Sequence, residues 1–441
     1  MTSVFTSIFS GASQLAGRID QMKQAELALI TFASRFSHYY DKESHTLELF
    51  DTKIPRSSIP LKDGVKCQLY PDQAKEEHDN LCIHGIKVQS NLYDEINSSS
   101  SKTTSKTAPL VLLHGYANGS LYFYRNLLGL ANYCFGGTVY ALDLLGWGLS
   151  SRPQFKTKNS TGGDSIDAAE DFFVESLEEW RKVNKLDKMV LGGHSMGGYI
   201  SIAYAEKYPQ NVDRLILLSP VGIPDDDDGM KQRSKSMPLR FRCMIGIASA
   251  LWTSGVTPSS FVRAMPEARG RNMVTSYIER RLPAITCPDE REHLTEYLYT
   301  NAILPRSGED CLNKILEPFA FPKRPAIHRI PNLNVKSISF IYGQHDWMDS
   351  GGGIEAKRIC DEMRKEGDHK APHVSVYGVK NAGHLLMLEN WEEFNSAVIH
   401  AAGDAQNLPS HAPRPYIHDE SQTSSGQNFF RKQVFRRDES D

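Results

Sequence analysis

The chain is short of cysteine, of long apolar runs and of net charge, and each shortage removes a class of protein. Its seven cysteines, Cys67, Cys82, Cys134, Cys243, Cys287, Cys311 and Cys360, are scattered and odd in number. They suggest neither a disulfide framework nor a zinc knuckle, and a reducing, intracellular setting is expected. No stretch approaches the ~20 uncharged apolar residues of a transmembrane helix, so any membrane contact is expected to be peripheral. Lys and Arg total 50 against 53 Asp and Glu, a net charge of −3, which leaves no cationic field to hold a nucleic-acid backbone. The amino terminus lacks the basic region and apolar core of a secretory signal. Neither a metal nor a resident cofactor is indicated.

What is present is a repeating pattern. From residue 109 short apolar runs ended by Gly, Asp or Ser alternate with amphipathic segments, the signature of a mostly parallel sheet covered by helices on both faces. The predicted strands are Pro109–His114, Thr138–Asp143, Lys188–Gly193, Arg214–Ser219, Lys336–Tyr342 and His373–Tyr377, with Lys66–Leu69 and Cys82–Val88 as an antiparallel edge. Predicted helices span Ile166–Val183, Met196–Tyr208, Ile354–Arg364 and Trp391–Ala402. The alternation stops between Pro224 and Pro331, where helical pieces follow an acidic run, Asp225–Asp228, read as a solvated hinge loop. The expected organisation is a core of residues 61–223 and 332–403, a helical cap at 224–331, a Ser/Thr-rich surface loop at Asn97–Ser105 and a disordered tail at 404–441. Residues 1–60 read as a helical extension. There Phe5, Ile8, Phe9, Ala12, Leu15 and Ala16 fall at helical spacing, which suits a surface anchor, a weak mitochondrial presequence or a helix packed on its own protein.

Within the pattern, Gly193-His194-Ser195-Met196-Gly197 joins a strand to a helix, the context a G-x-S-x-G nucleophile elbow requires. Glycines two before and two after the serine relieve crowding in so tight a turn, and the Met196 amide at the helix start points toward a developing oxyanion. A serine hydroxyl needs a base, and the base an orienting acid. Asp346 and His384 follow later strands in the chain order Ser, Asp, His of an α/β-hydrolase. Asp349 competes with Asp346, which stands nearer the strand-end glycine. His345 reads as a neighbour of the acid and His194 as a packing or hydrogen-bonding residue under the elbow. The second oxyanion donor is expected to be the amide of Tyr116, with Gly115 allowing its close approach. The glycine-rich turn Asp143–Ser150 lacks the lysine of a P-loop and reads as structural.

The segments LVLLHGYANG, LDLLGWGLSSRP, MVLGGHSMGGY, RLILLSPVGIP and TEYLYTNAILPRSGED resemble the α/β-hydrolase subfamily that contains the lipid-droplet lipase coactivator of neutral lipid storage disease, its phospholipase paralogue and fungal cardiolipin deacylases. The resemblance runs from about 110 to 385. It implies deacylation of a glycerophospholipid or lysophospholipid by Ser195, Asp346 and His384. As alternatives it implies lysophosphatidic acid acyltransferase activity, with acyl-CoA as co-substrate, or non-catalytic coactivation of a lipase. It further implies a lipid-droplet, mitochondrial or endoplasmic-reticulum surface as the place of work. Two departures stand out. Coactivator-type members carry asparagine where this chain has Ser195, and the acyltransferase motif H-x-x-x-x-D reads here from His384 to Glu389. Glu389 is expected to act as an N-terminal helix charge.

Overall fold

Short runs of Leu, Ile and Val cannot bury both faces alone, and they combine in the centre of a nine-stranded sheet whose strands, β1 (His45–Pro55), β2 (Asn80–Ser90), the parallel β3 to β8 and β9 (Tyr416–Ile417), lie in the order β1-β2-β4-β3-β5-β6-β7-β8-β9. The computed structural model describes residues 2–36, 44–59, 80–98, 108–155, 163–225, 246–247 and 249–417. The parallel strands are β3 (Leu110–Leu113), β4 (Thr138–Leu142), β5 (Met189–His194), β6 (Val212–Leu218), β7 (Ser337–Gly343) and β8 (His373–Val379). Successive residues of a strand face opposite sides. Leu110 and Leu112 enter one apolar cluster, while Val111 and Leu113 enter the other. Both clusters are covered by helices, as a parallel sheet demands. The helices Gly163–Val183, Met196–Lys207 and Gly351–Lys365 cover one face, and Leu127–Tyr133 and Trp391–Ala402 the other. Between β6 and β7 the described residues include the helices Pro258–Ala264, Glu267–Arg281, Pro288–Ile303 and Glu309–Ile315, where a cap was expected.

Three parts differ from the sequence expectation. The sheet begins at β1 (His45–Pro55), not after residue 61, and β1 pairs antiparallel with β2 (Asn80–Ser90) along its whole length. As an edge strand β1 leaves most residues half-buried or exposed, so it carries no apolar run to betray it. The proposed edge strand Lys66–Leu69 lies outside the described residues. Residues 1–60 hold more than a helical extension, and of the three readings of the helix the one packed on its own protein fits the described residues. Helix α1 (Thr2–Ala33) buries Ile19, Met22, Ala25, Leu29 and Phe32 in the core, a stripe at three- and four-residue spacing. The side chains of Phe5, Ile8, Phe9 and Ala12 lie outside the described residues, as do Asp226–Asp228 and residues 99–107. The tail is ordered beyond residue 404, since β9 (Tyr416–Ile417) pairs antiparallel with β8; residues 418–441 lie outside the described set.

A charge cluster, buried at Glu26 and His84 and open to solvent at Asp51, fastens α1 to the sheet. His84 on β2 meets Asp51 Oδ1 through Nδ1 at 2.7 Å and Glu26 Oε2 through Nε2 at 3.2 Å. Burial opposes its charge, yet the bonds to Asp51 and Glu26 outweigh burial and hold the imidazole up at about 10. Burial pushes Glu26 up to about 7. With both ring nitrogens facing carboxylates, His84 is a fully used imidazolium. In the folded chain it stays charged to about 10, but in the unfolded chain only to its ordinary ~6.5. Its contribution to stability is therefore complete below ~6.5 and vanishes as pH rises through the folded value. The gap in unfolding free energy between the wild-type chain and a Glu26→Gln/His84→Gln variant should narrow by on the order of 2 kcal/mol from pH 8 to 10. Urea titrations giving a constant gap across that window would contradict this account of the cluster.

Candidate active site

Chain order puts β4 on one side of β3 and β5 on the other, so the crevice beyond the carboxyl ends of β3 and β5 is the topological switch point where such sheets receive ligands. Ser195 stands there, between β5 and the helix Met196–Lys207, with φ 54° and ψ −115°. Its amide donates to Leu218 O at 2.9 Å, and its carbonyl accepts from Gly198 N at 3.0 Å and Val221 N at 3.2 Å. The turn closes only because its glycines lack side chains. A Cβ on Gly193 would strike the Gly197 carbonyl and the Ser201 hydroxyl, and one on Gly197 would lie 2.5 Å from Leu113 O.

The loops after β7 and β8 deliver the other two residues. His384 Nε2 lies 3.1 Å from Ser195 Oγ, and its Nδ1 lies 3.0 Å from Asp346 Oδ1. The Asp346 side chain is 1% exposed, so its charge acts in a dry setting. Asp346 Oδ1 also accepts the Met348 amide at 2.9 Å. Asp349, the competing acid, instead accepts the Gly351 amide at 2.9 Å. His345 is exposed on the cavity wall, and its amide donates to Ala382 O.

His194 is buried and its Nε2 donates to the His384 carbonyl at 2.9 Å. Burial, then the neighbouring His384, hold its pKa well below the usual histidine range. A neutral ring that anchors the His384 backbone is thus what lies under the elbow. On the other side, His114 fixes the loop after β3. Its Nδ1 donates to Gly115 O at 2.7 Å while Nε2 accepts from Leu144 N at 3.0 Å. Gly115 passes so near that a Cβ there would lie 2.9 Å from His194 Nδ1. Tyr116 and Met196 both line the cavity with Ser195. Among the described residues neither backbone amide donates to a backbone carbonyl, so both are available to a ligand oxygen.

The cavity, about 530 Å³, runs from Ser195 between the core and the cap, with Trp252, Tyr277, Leu312, Leu316 and Trp347 among its walls. Polar bonds fasten the cap to the loop that carries Tyr116. The Tyr116 hydroxyl pairs with Ser259 Oγ at 3.1 Å. Asn301 Nδ2 donates to Asn118 O at 2.9 Å, while its Oδ1 accepts from Gly148 N at 3.0 Å and Arg152 at 2.9 Å. The Asp143–Ser150 turn is structural, as read: Asp143 accepts the Ser120 amide at 2.6 Å and the Leu149 amide at 2.8 Å.

Glu389 departs from its expected part. It closes the single helical turn Leu386–Glu389 rather than opening a helix, and its carboxylate accepts Gly383 N at 2.9 Å and Leu385 N at 3.1 Å. It therefore staples the backbone on either side of His384. Burial raises its pKa although those amides oppose the shift. Only the folded loop brings residue 389 back onto 383 and 385, and H-x-x-x-x-E spacing alone contains no such signal.

Comparison with known proteins places these features in context. The pattern described as alpha/beta hydrolase fold matches residues 108–390. The chain is 33% identical over 311 residues, 69% of its length and 70% of the relative's, to a rice protein described as a probable 1-acylglycerol-3-phosphate O-acyltransferase. It is 32% identical over 305 residues to the pig protein 1-acylglycerol-3-phosphate O-acyltransferase ABHD5, covering 68% of this chain and 78% of that one. Among solved structures, a bacterial membrane phospholipase A superposes with a TM-score of 0.51 at 16% identity, over 92% of this chain and 100% of that one, a likeness of fold.

The staple predicts a graded effect. Glu389→Gln keeps one carbonyl acceptor and should slow phosphonylation of Ser195 by a fluorophosphonate roughly tenfold, with Glu389→Ala slower still. The loss should fall on the inactivation rate constant and not on the probe's apparent binding constant. Wild-type inactivation rates in the alanine variant would remove the staple from the account.

Proposed function

The chain belongs to the α/β-hydrolase family, in the branch that includes ABHD5 and its plant relatives, and on that premise we propose that it is a serine acyl-ester enzyme acting on glycerophospholipids or lysophospholipids. The observation that carries this reading is the unbroken line Ser195 Oγ, His384 Nε2, His384 Nδ1, Asp346 Oδ1, with separations of 3.1 and 3.0 Å, at the base of a largely apolar cavity. Ser195 Oγ attacks the ester carbonyl while its proton passes to His384 Nε2. Asp346 stabilises the resulting imidazolium and keeps the ring oriented without taking the proton. The carbonyl electrons move onto oxygen, where the Tyr116 and Met196 amides receive the charge; one such donor is worth ~3 kcal/mol. His384 then protonates the departing glycerol oxygen, leaving an acyl group on Ser195. Water, activated by the same histidine, releases the fatty acid and restores the serine.

A second reading is supported by the names of the relatives, acylglycerol-phosphate acyltransferases. Here the hydroxyl of a lysophosphatidic acid replaces water at the acyl-serine, and acyl-CoA is the donor. Glu389 holds loop amides, so this reading also routes the acyl group through Ser195. Among the described residues no helix is long and apolar enough to cross a membrane. Leu251, Phe261, Met265, Met273 and Tyr277 expose apolar surface on the cap, and Tyr277 also lines the cavity, which supports contact of the cap with a phospholipid surface.

Ser195→Ala should abolish both fatty-acid release and acyl transfer. Asp346→Asn should lower kcat by roughly 10³ to 10⁴, as loss of a triad acid does, while Asp349→Asn should stay within about twofold of wild type. Undiminished turnover in the Ser195 variant, or a reversal of the two aspartate effects, would refute the mechanism.

A further inference from the structure

Arg280 and Arg281 close the cap helix Glu267–Arg281, and both line the cavity that holds Ser195. Arg280 anchors its stem through Nε to Ser276 O at 3.0 Å. That bond turns the guanidinium without using its two terminal nitrogens, and among the described residues no carboxylate pairs with it. The acidic side chain in the same wall, Glu389, is committed to the Gly383 and Leu385 amides. The cavity is therefore reactive at Ser195, cationic at the arginines and apolar along Trp252, Tyr277, Leu312 and Leu316. Cations at a helix carboxyl end gain from the helix dipole wherever on that end they point, so the dipole accounts for their position in sequence and not for their facing the cavity.

A ligand that satisfies all of these surfaces carries an acyl chain, an ester and an anion. Guanidinium matches phosphate with paired N–H donors. We propose that Arg280, with Arg281 beside it, forms the phosphate-binding subsite of this enzyme, so that the substrate is distinguished from a neutral acylglycerol by its phosphomonoester. The inference rests on Ser195 as the acyl carrier and adds what lies at the other end of the bound molecule. The phosphate belongs either to a glycerophosphate headgroup or to the CoA portion of an acyl donor.

The test uses the full chain with Arg280→Ala, Arg280→Lys and Arg280→Ala/Arg281→Ala, assayed on lysophosphatidic acid and on a monoacylglycerol of the same chain length. The ratio of kcat/KM for the phosphate ester over the neutral ester should fall roughly tenfold in Arg280→Ala, further in the double variant and less in the lysine variant. A parallel assay varies acyl-CoA with monoacylglycerol as acceptor. A tenfold rise in the acyl-CoA KM with the lipid ratio held would assign the subsite to the CoA phosphates. Equal behaviour of all variants on phosphate-bearing and neutral ligands, in both assays, would overturn the proposal. Equilibrium binding of lysophosphatidic acid to the Ser195→Ala protein, with and without Arg280→Ala, reads the subsite without turnover. Weakened binding supports it and equal binding overturns it. Activity surviving Ser195→Ala would instead strike the acyl-serine reading and leave this comparison standing.

Discussion

Ser195 holds φ 54° and ψ −115°, a conformation that costs a residue with a side chain roughly 1–3 kcal/mol. The surrounding fold is what keeps it there. Its amide and carbonyl are bonded to the end of β6 and to the segment after it, so the turn cannot relax without breaking the sheet edge. The same bend aims Oγ out of the sheet and leaves the next amide, on Met196, at the start of a helix. The approach of the loop after β3 is equally constrained, because Gly115 and Gly197 touch backbone or ring atoms where a Cβ would stand. The proposed nucleophile and the amides proposed as oxyanion donors are thus placed by one packing problem solved at the switch point of the sheet.

The cap shares in that solution. Asn301 bridges the loop after β3, the turn after β4 and Arg152 within one buried set of bonds, and Tyr116 reaches the cap helix through Ser259. Moving the cap would move the backbone that carries the Tyr116 amide. This explains physically why the segments SSRP and TEYLYTNAILPRSGED occur in one chain: Arg152 of the first donates to Asn301 of the second. The cap and the loop that carries the Tyr116 amide are mechanically linked.

Much of this was legible in the sequence, because local chemistry wrote it there. The runs PLVLLH, KMVLGG and RLILLS fall on β3, β5 and β6 since a strand buried on both faces must be continuously apolar. Ser195, Asp346 and His384 were readable because each follows such a run. What escaped reading depends on partners distant in sequence. Strand β1 alternates charged and apolar residues and earns its place only through β2. Glu26 sits inside the apolar stripe of α1, and its partner His84 is 58 residues away. The preference for Asp346 over Asp349 rests in the sequence on nearness to the strand-end glycine alone; the direction each carboxylate takes, one to His384 and one to a helix amide, agrees with it. Glu389 and the arginine pair acquire meaning only from the loop and cavity they face.

The central claim is that the acyl group passes through Ser195 under the control of His384 and Asp346. Rapid acid quench of the enzyme during turnover of a phospholipid with an isotopically labelled acyl chain, followed by peptide mass spectrometry, tests it most directly. The account predicts a label on the peptide carrying Gly193-His194-Ser195-Met196-Gly197, linked through the serine oxygen and absent when the substrate is omitted. Product formation with the label on another residue, or with no acylated peptide at any quench time, would contradict it.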